Sequence, residues 1–166
     1  KDAEWIAELL QHGLLRGSFV PPAEIRELRE LTRYRKKMIQ RRADQCNRIQ
    51  KLLEACNIKL ASVASDVLGI SGRAMLEALA AGETDLSKMA DEARGRLRQK
   101  IPQLTQALDG VLSETQRWLL REQLDEVTRL DDAVSRLDAK VEELCRPFAK
   151  LIDKLFNSLH LATARV

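Results

Sequence analysis

The chain is poor in glycine and poorer in proline, with seven of one and four of the other in 166 residues. A fold built from strands needs a turn every few residues, and so few breakers exclude it. Aromatic residues make up only 4%. Leu, Ala, Arg and Glu therefore set the character of the chain, which is that of long amphipathic helices. No apolar run approaches the length of a bilayer span and no signal-peptide pattern is visible, so the sequence reads as cytoplasmic and free of membrane contact. The three cysteines, Cys46, Cys56 and Cys145, are an odd number without metal-ligand spacing, and are expected to be reduced, small apolar residues. His12 and His160 lie far apart with no Cys or carboxylate pattern beside either, so no metal site is expected. Gly69-Ile70-Ser71-Gly72 reads as helix capping, not as a phosphate loop.

Acid is the other scarcity, and it is local. Between Arg26 and Lys51 there are ten Lys or Arg against Glu27, Glu30 and Asp44, a balance of +7 in a chain whose net charge is +3. From Leu31 to Ala43 there is no acid at all. A solvated helix face is the ordinary fate of a charge run, but such a face interleaves acids. Here like charges at i,i+4, such as Arg33–Lys37 and Lys37–Arg41, repel one another. A polyanion relieves that repulsion, so Arg33, Arg35, Lys36, Lys37, Arg41, Arg42 and Arg48 are the candidate nucleic-acid contacts, with Tyr34 as a stacking surface among them.

The periodicity predicts an all-α fold: a long antiparallel helical hairpin or coiled coil with a small helical cap. A first helix is expected from Asp2 to His12, closed by Gly13, and a long one from Pro22 to Cys56, where no Gly or Pro interrupts. Shorter pieces follow: a helix capped by Ser71 and closed by Gly82, another from Asp85 to Lys100, and a new start at Pro102. The strongest signal lies between Ser113 and Ser158. Val127, Leu130, Val134, Leu137, Val141, Leu144, Phe148, Leu151 and Leu155 alternate spacings of three and four, the a/d pattern of a two-stranded coiled coil. Pro147 should unwind it locally. These heptad residues, through Leu151, are the candidate oligomerisation contacts. The pattern leaves open whether they pair within the chain or with a second copy.

Several runs also resemble one family. Asp2-Ala3-Glu4-Trp5-Ile6-Ala7-Glu8-Leu9-Leu10, Leu15-Arg16-Gly17-Ser18-Phe19-Val20-Pro21-Pro22, Glu27-Leu28-Arg29-Glu30-Leu31-Thr32-Arg33-Tyr34-Arg35 and Asn47-Arg48-Ile49-Gln50-Lys51-Leu52-Leu53-Glu54 stand in order, followed by Ile58 to Val63 and Gly69 to Leu76. They resemble the bacterial insertion-sequence transposases with an Asp-Glu-Asp-Asp tetrad, the bridge-RNA-guided recombinases. The resemblance implies three parts: residues 1–20 as the end of an RNase-H-like catalytic domain and connector, 21–158 as its helical coiled-coil region, and 159–166 as a truncated tail. It implies DNA and structured RNA as partners, a homo-oligomer, and Asp2 as the remnant of the fourth catalytic carboxylate. By pattern alone Asp2 is a helix cap. A two-metal site needs several carboxylates, so Mg²⁺ is expected only for a complete parent enzyme and this chain is expected to be inactive. Lys1 stands where a Met would open a gene, so upstream residues are expected. After Leu155 the family's Ile-Pro-Gly-Val-Gly-type turn and serine nucleophile are replaced by Asn157 to Val166. A coiled-coil scaffold that binds only proteins is the alternative reading.

Overall fold

The structure is a computed structural model, and it describes residues 2–15, 19–151 and 153–154. The last heptad position Leu155, the expected helix end at Ser158 and the tail 159–166 lie outside the described residues. Among the described residues the α-helices include, in order, α1 (Asp2–Gln11), α2 (Ala23–Ala55), α3 (Ile70–Ala81), α4 (Leu86–Ala90), α5 (Ile101–Ala107) and α6 (Glu114–Cys145). No strand occurs among the described residues.

Three helices end by one device. At α1 the N–H of Gly13 donates to Leu10 O and that of Leu14 to Leu9 O. At α2 Asn57 donates to Glu54 O and Ile58 to Leu53 O, and at α3 Gly82 donates to Leu79 O and Glu83 to Ala78 O. Each is a Schellman closure, which needs one residue in the left-handed region. Gly13, Asn57 and Gly82 supply it, with φ of 66°, 61° and 93°.

Helix α2 has 33 residues and is roughly 50 Å long at 1.5 Å per residue. A helix of that length needs a partner to bury its apolar stripe, and α6 runs back along it. Ser113 starts α6 with a capping box: its hydroxyl accepts from Gln116 N–H while the Gln116 amide oxygen accepts from Ser113 N–H. The hairpin closes within the chain at the cap end. There Ile49 and Leu53 of α2 meet Leu120, Leu124 and Val127 of α6 in a core shared with Met75, Leu76, Leu79 and Met89. Further from the cap the molecule is only two helices thick, and Val134, Leu137, Val141 and Leu144 are half-buried. A 3-10 turn at Arg146–Phe148 follows α6, the local unwinding expected at Pro147.

Two expectations for the cap are corrected. Ser71 does not cap α3; Gly69 stands at that position. Ser71 lies one residue inside the helix and is buried, its hydroxyl accepting the N–H of Arg94 at 2.9 Å. Nor is Asp85–Lys100 one helix. Asp85 caps α4, accepting from Ser87 and Lys88 N–H, but α4 stops at Ala90 and a 3-10 turn covers Gly95–Lys100. The break lets Ala90 and Ala93 both reach the core, and Gly95 takes a positive φ of 57°.

Candidate nucleic-acid interface

Arg35 and Arg42 stand two helical turns apart on α2, and their partners on α6 stand two turns apart in the opposite order. Arg35 pairs with Asp138, its Nε donating to Oδ1 and its Nη2 to Oδ2 at 3.2 Å. Arg42 Nε donates to Asp131 Oδ1. The two pairs fix the antiparallel register of the hairpin where its apolar seam is thinnest. The hydrogen bond it donates to Asp138 raises the Arg35 guanidinium further above its ordinary value, and the one to Asp131 does the same for Arg42. The Arg35 hydrogen bond in turn holds the Asp138 carboxyl below the usual carboxylate range. These two arginines, expected as phosphate contacts, are thus engaged within the fold. Their role was hidden in the sequence because their carboxylates lie about a hundred residues away.

The remaining candidates stay open. Arg33, Lys36, Lys37, Arg41 and Arg48 are all exposed, and among the described residues none of their side chains makes a hydrogen bond or an ion pair. Folding therefore leaves most of the acid-free run unneutralised: of the α6 carboxylates, only Asp131 and Asp138 pair with α2 among the described residues. Arg41 and Arg48 line one shallow cleft against α6 with Asp44, Gln45, Glu126 and Leu130. Tyr34 is 52% exposed within this cationic surface and free to stack.

The heptad residues divide. Val127 and Leu130 are buried in the chain's own packing, at 0% and 7% exposure. Val134, Leu137, Val141, Leu144 and Phe148 are half-buried, and Leu151 is 60% exposed. Asp2 begins α1, where its charge and that of Glu4 suit the helix dipole. It is exposed, and among the described residues no group of three or more His, Cys, Asp or Glu can hold a metal ion. The residues present therefore do not fit a two-metal site. Cys56 is buried and Cys46 half-buried, and burial pushes both thiols up, which keeps them protonated. No helix among the described residues is long and apolar enough to cross a membrane. A second basic surface, on the 3-10 turn at Gly95–Lys100, escaped the sequence reading because those residues were assigned to a continuous helix.

Comparison with known families finds a match at one end of the chain. Residues 1–58 match the family model for transposases of the DEDD type, the IS110 group. Over that segment the chain is similar to transposases of the IS110 group. The match takes in α1 and α2, including every basic candidate on α2, and ends before α3. No curated protein and no solved structure matches the chain.

Proposed function

We propose that the chain is the assembly and nucleic-acid-binding helical region of its transposase. In this reading α2 grips the phosphates of DNA or of a structured RNA that chooses the target, and the outer half of the hairpin brings two protomers together. The observation that supports it most is the charge left over after folding. A helix whose cations were purely structural would have them matched by the partner helix. Here, among the described residues, α6 pairs with Arg35 and Arg42 and makes no ion pair with Arg33, Lys36, Lys37 or Arg41. Guanidinium forks clamp phosphate oxygens in pairs and ammonium groups act as point charges beside them.

The chain alone is proposed to be catalytically silent. Asp2 lacks companion carboxylates among the described residues, and hydrolysis of a phosphodiester by paired Mg²⁺ requires them. The chemistry belongs to the complete parent enzyme.

The test is titration of a fluorescent hairpin RNA and a duplex DNA with the wild-type chain and with R33Q/K36Q/K37Q/R41Q. These four residues are exposed, so the helical circular dichroism should be unchanged. Affinity for both probes should drop by about tenfold or more at low salt. Equal binding by the two proteins would return this face to solvent and leave the coiled-coil scaffold as the better reading.

A further inference from the structure

The cap carries a second acid-free run, longer than the one on α2. No Asp or Glu occurs between Glu92 and Asp109, while Arg94, Arg96, Arg98 and Lys100 fall within seven residues. The fold displays these cations instead of pairing them. Ser71 holds the Arg94 backbone from inside the core, Gly95 takes a positive φ of 57°, and Leu97 within the 3-10 turn and Ile101 just after it pack against the core. Arg94, Arg96, Arg98 and Lys100 are left exposed, and among the described residues none of the three arginine side chains makes a hydrogen bond or an ion pair. Lys100 Nζ donates to Val63 O at 3.4 Å.

That contact brings the cationic turn to the rim of a cavity. Val63 lines an open hollow of about 470 Å³ whose other walls include Asn57, Lys59, Ser62, Gln103 and Gln106, with Asp109 as its one acid. The Lys59 N–H donates to Ala107 O at 2.8 Å and ties the two walls together. Three carboxamides line this space. A carboxamide offers a donor pair and an acceptor side by side, the complement of the Watson–Crick edge of a base. In a duplex those edges are occupied; only an unpaired base can present them.

We infer that the cap is a binding surface for single-stranded nucleic acid, with Arg94, Arg96, Arg98 and Lys100 on its phosphates and the Asn57–Gln103–Gln106 hollow receiving an unpaired base. No aromatic residue lines the hollow, so recognition rests on hydrogen bonds more than on stacking. The inference extends the nucleic-acid reading to a different face of the molecule and fails separately from it.

The experiment uses the 166-residue chain, an oligouridine of about 12 nucleotides, the size of site such surfaces cover, and a blunt RNA duplex. R96Q/R98Q should weaken oligouridine binding about tenfold and make its log–log salt slope shallower by about 1.4, two phosphates' worth. Q103A/Q106A should weaken oligouridine binding about thirtyfold and leave the duplex unchanged, since two amide–base pairings at about 1 kcal/mol each amount to about 2 kcal/mol. R33Q/K36Q/K37Q/R41Q should do the reverse, losing duplex more than oligouridine. If the α2 variant loses duplex while both cap variants bind oligouridine as wild type does, the cap site alone is overturned. Equal losses of both probes in Q103A/Q106A would overturn the preference for unpaired bases. Polyglutamate displacing oligouridine as well as unlabelled oligouridine does would assign the surface to acidic protein and overturn the inference.

Discussion

Gly72 offers a prediction whose sign separates tertiary packing from local propensity. It lies in the first turns of α3 with ordinary helical backbone. By propensity alone, Gly→Ala within a helix stabilises by about 1 kcal/mol. At this position, however, an added Cβ would meet Val67 O at 2.2 Å and Val67 C at 2.7 Å. Both are backbone atoms, and Val67 is itself buried in the core, so the neighbour has no flexible end to swing away. Overpacking of this kind costs about 1–3 kcal/mol, and contacts so far inside van der Waals range put Gly72 at the upper end. Net of the propensity gain, Gly72→Ala should lose roughly 1–2 kcal/mol. In a chain of this length that lowers Tm by about 2–8 °C, read by circular dichroism at 222 nm. The shift should displace Ser71 and with it the anchor of Arg94, so cap binding to oligouridine should weaken in parallel. A Tm raised by the few degrees that propensity allows would refute the close approach of α3 to the Val67 loop.

Three further outcomes follow from other parts of the structure. The Glu83 carboxyl is held at about 2, mainly by the Lys88 ammonium and then by the N–H groups of Asp85 and Thr84. A depressed carboxyl contributes stability that is complete above its ordinary 4.5 and lost as pH falls toward about 2. Glu83→Gln should flatten the Tm profile across that window, and a profile identical to wild type would remove Glu83 from the cap's acid sensitivity. A double-mutant cycle of Arg42→Gln and Asp131→Asn should give a coupling of about 0.2–1 kcal/mol that shrinks with salt, because both side chains are more than a third exposed; zero coupling at low salt would deny them a part in the register. L137D/L144D should abolish self-association measured by sedimentation at micromolar concentration, and a monomeric wild type would show that the seam closes within one chain.

How much of this was legible in the sequence depended on the range of the interactions. The long helices were readable because their signals are local. Pro21-Pro22 and the uninterrupted run to Cys56 bound α2, and the heptads from Val127 onward mark α6. The cap was harder. Asp85 to Lys100 reads as a helix residue by residue, yet placing both Ala90 and Ala93 in the core requires a break that only the surrounding packing dictates. Ser71 was legible as a polar residue near a helix start, but its partner is the backbone of Arg94, set by tertiary fold. The same limit shaped the site. The excess of cations on α2 was visible, whereas the removal of Arg35 and Arg42 from it depends on Asp138 and Asp131, which no local pattern connects to them.

The account's central claim is that the unpaired cations of α2 bind phosphate, and the salt dependence of binding tests it most directly. With Arg33, Lys36, Lys37 and Arg41 each neutralising a phosphate, the log–log slope for duplex DNA should lie between about −3 and −4. R33Q/K36Q/K37Q/R41Q should bring that slope close to zero while its helicity matches wild type, and R35Q should change the slope by less than any one of the four. Slopes that are equal in wild type and the quadruple variant, at every salt concentration, would contradict the claim.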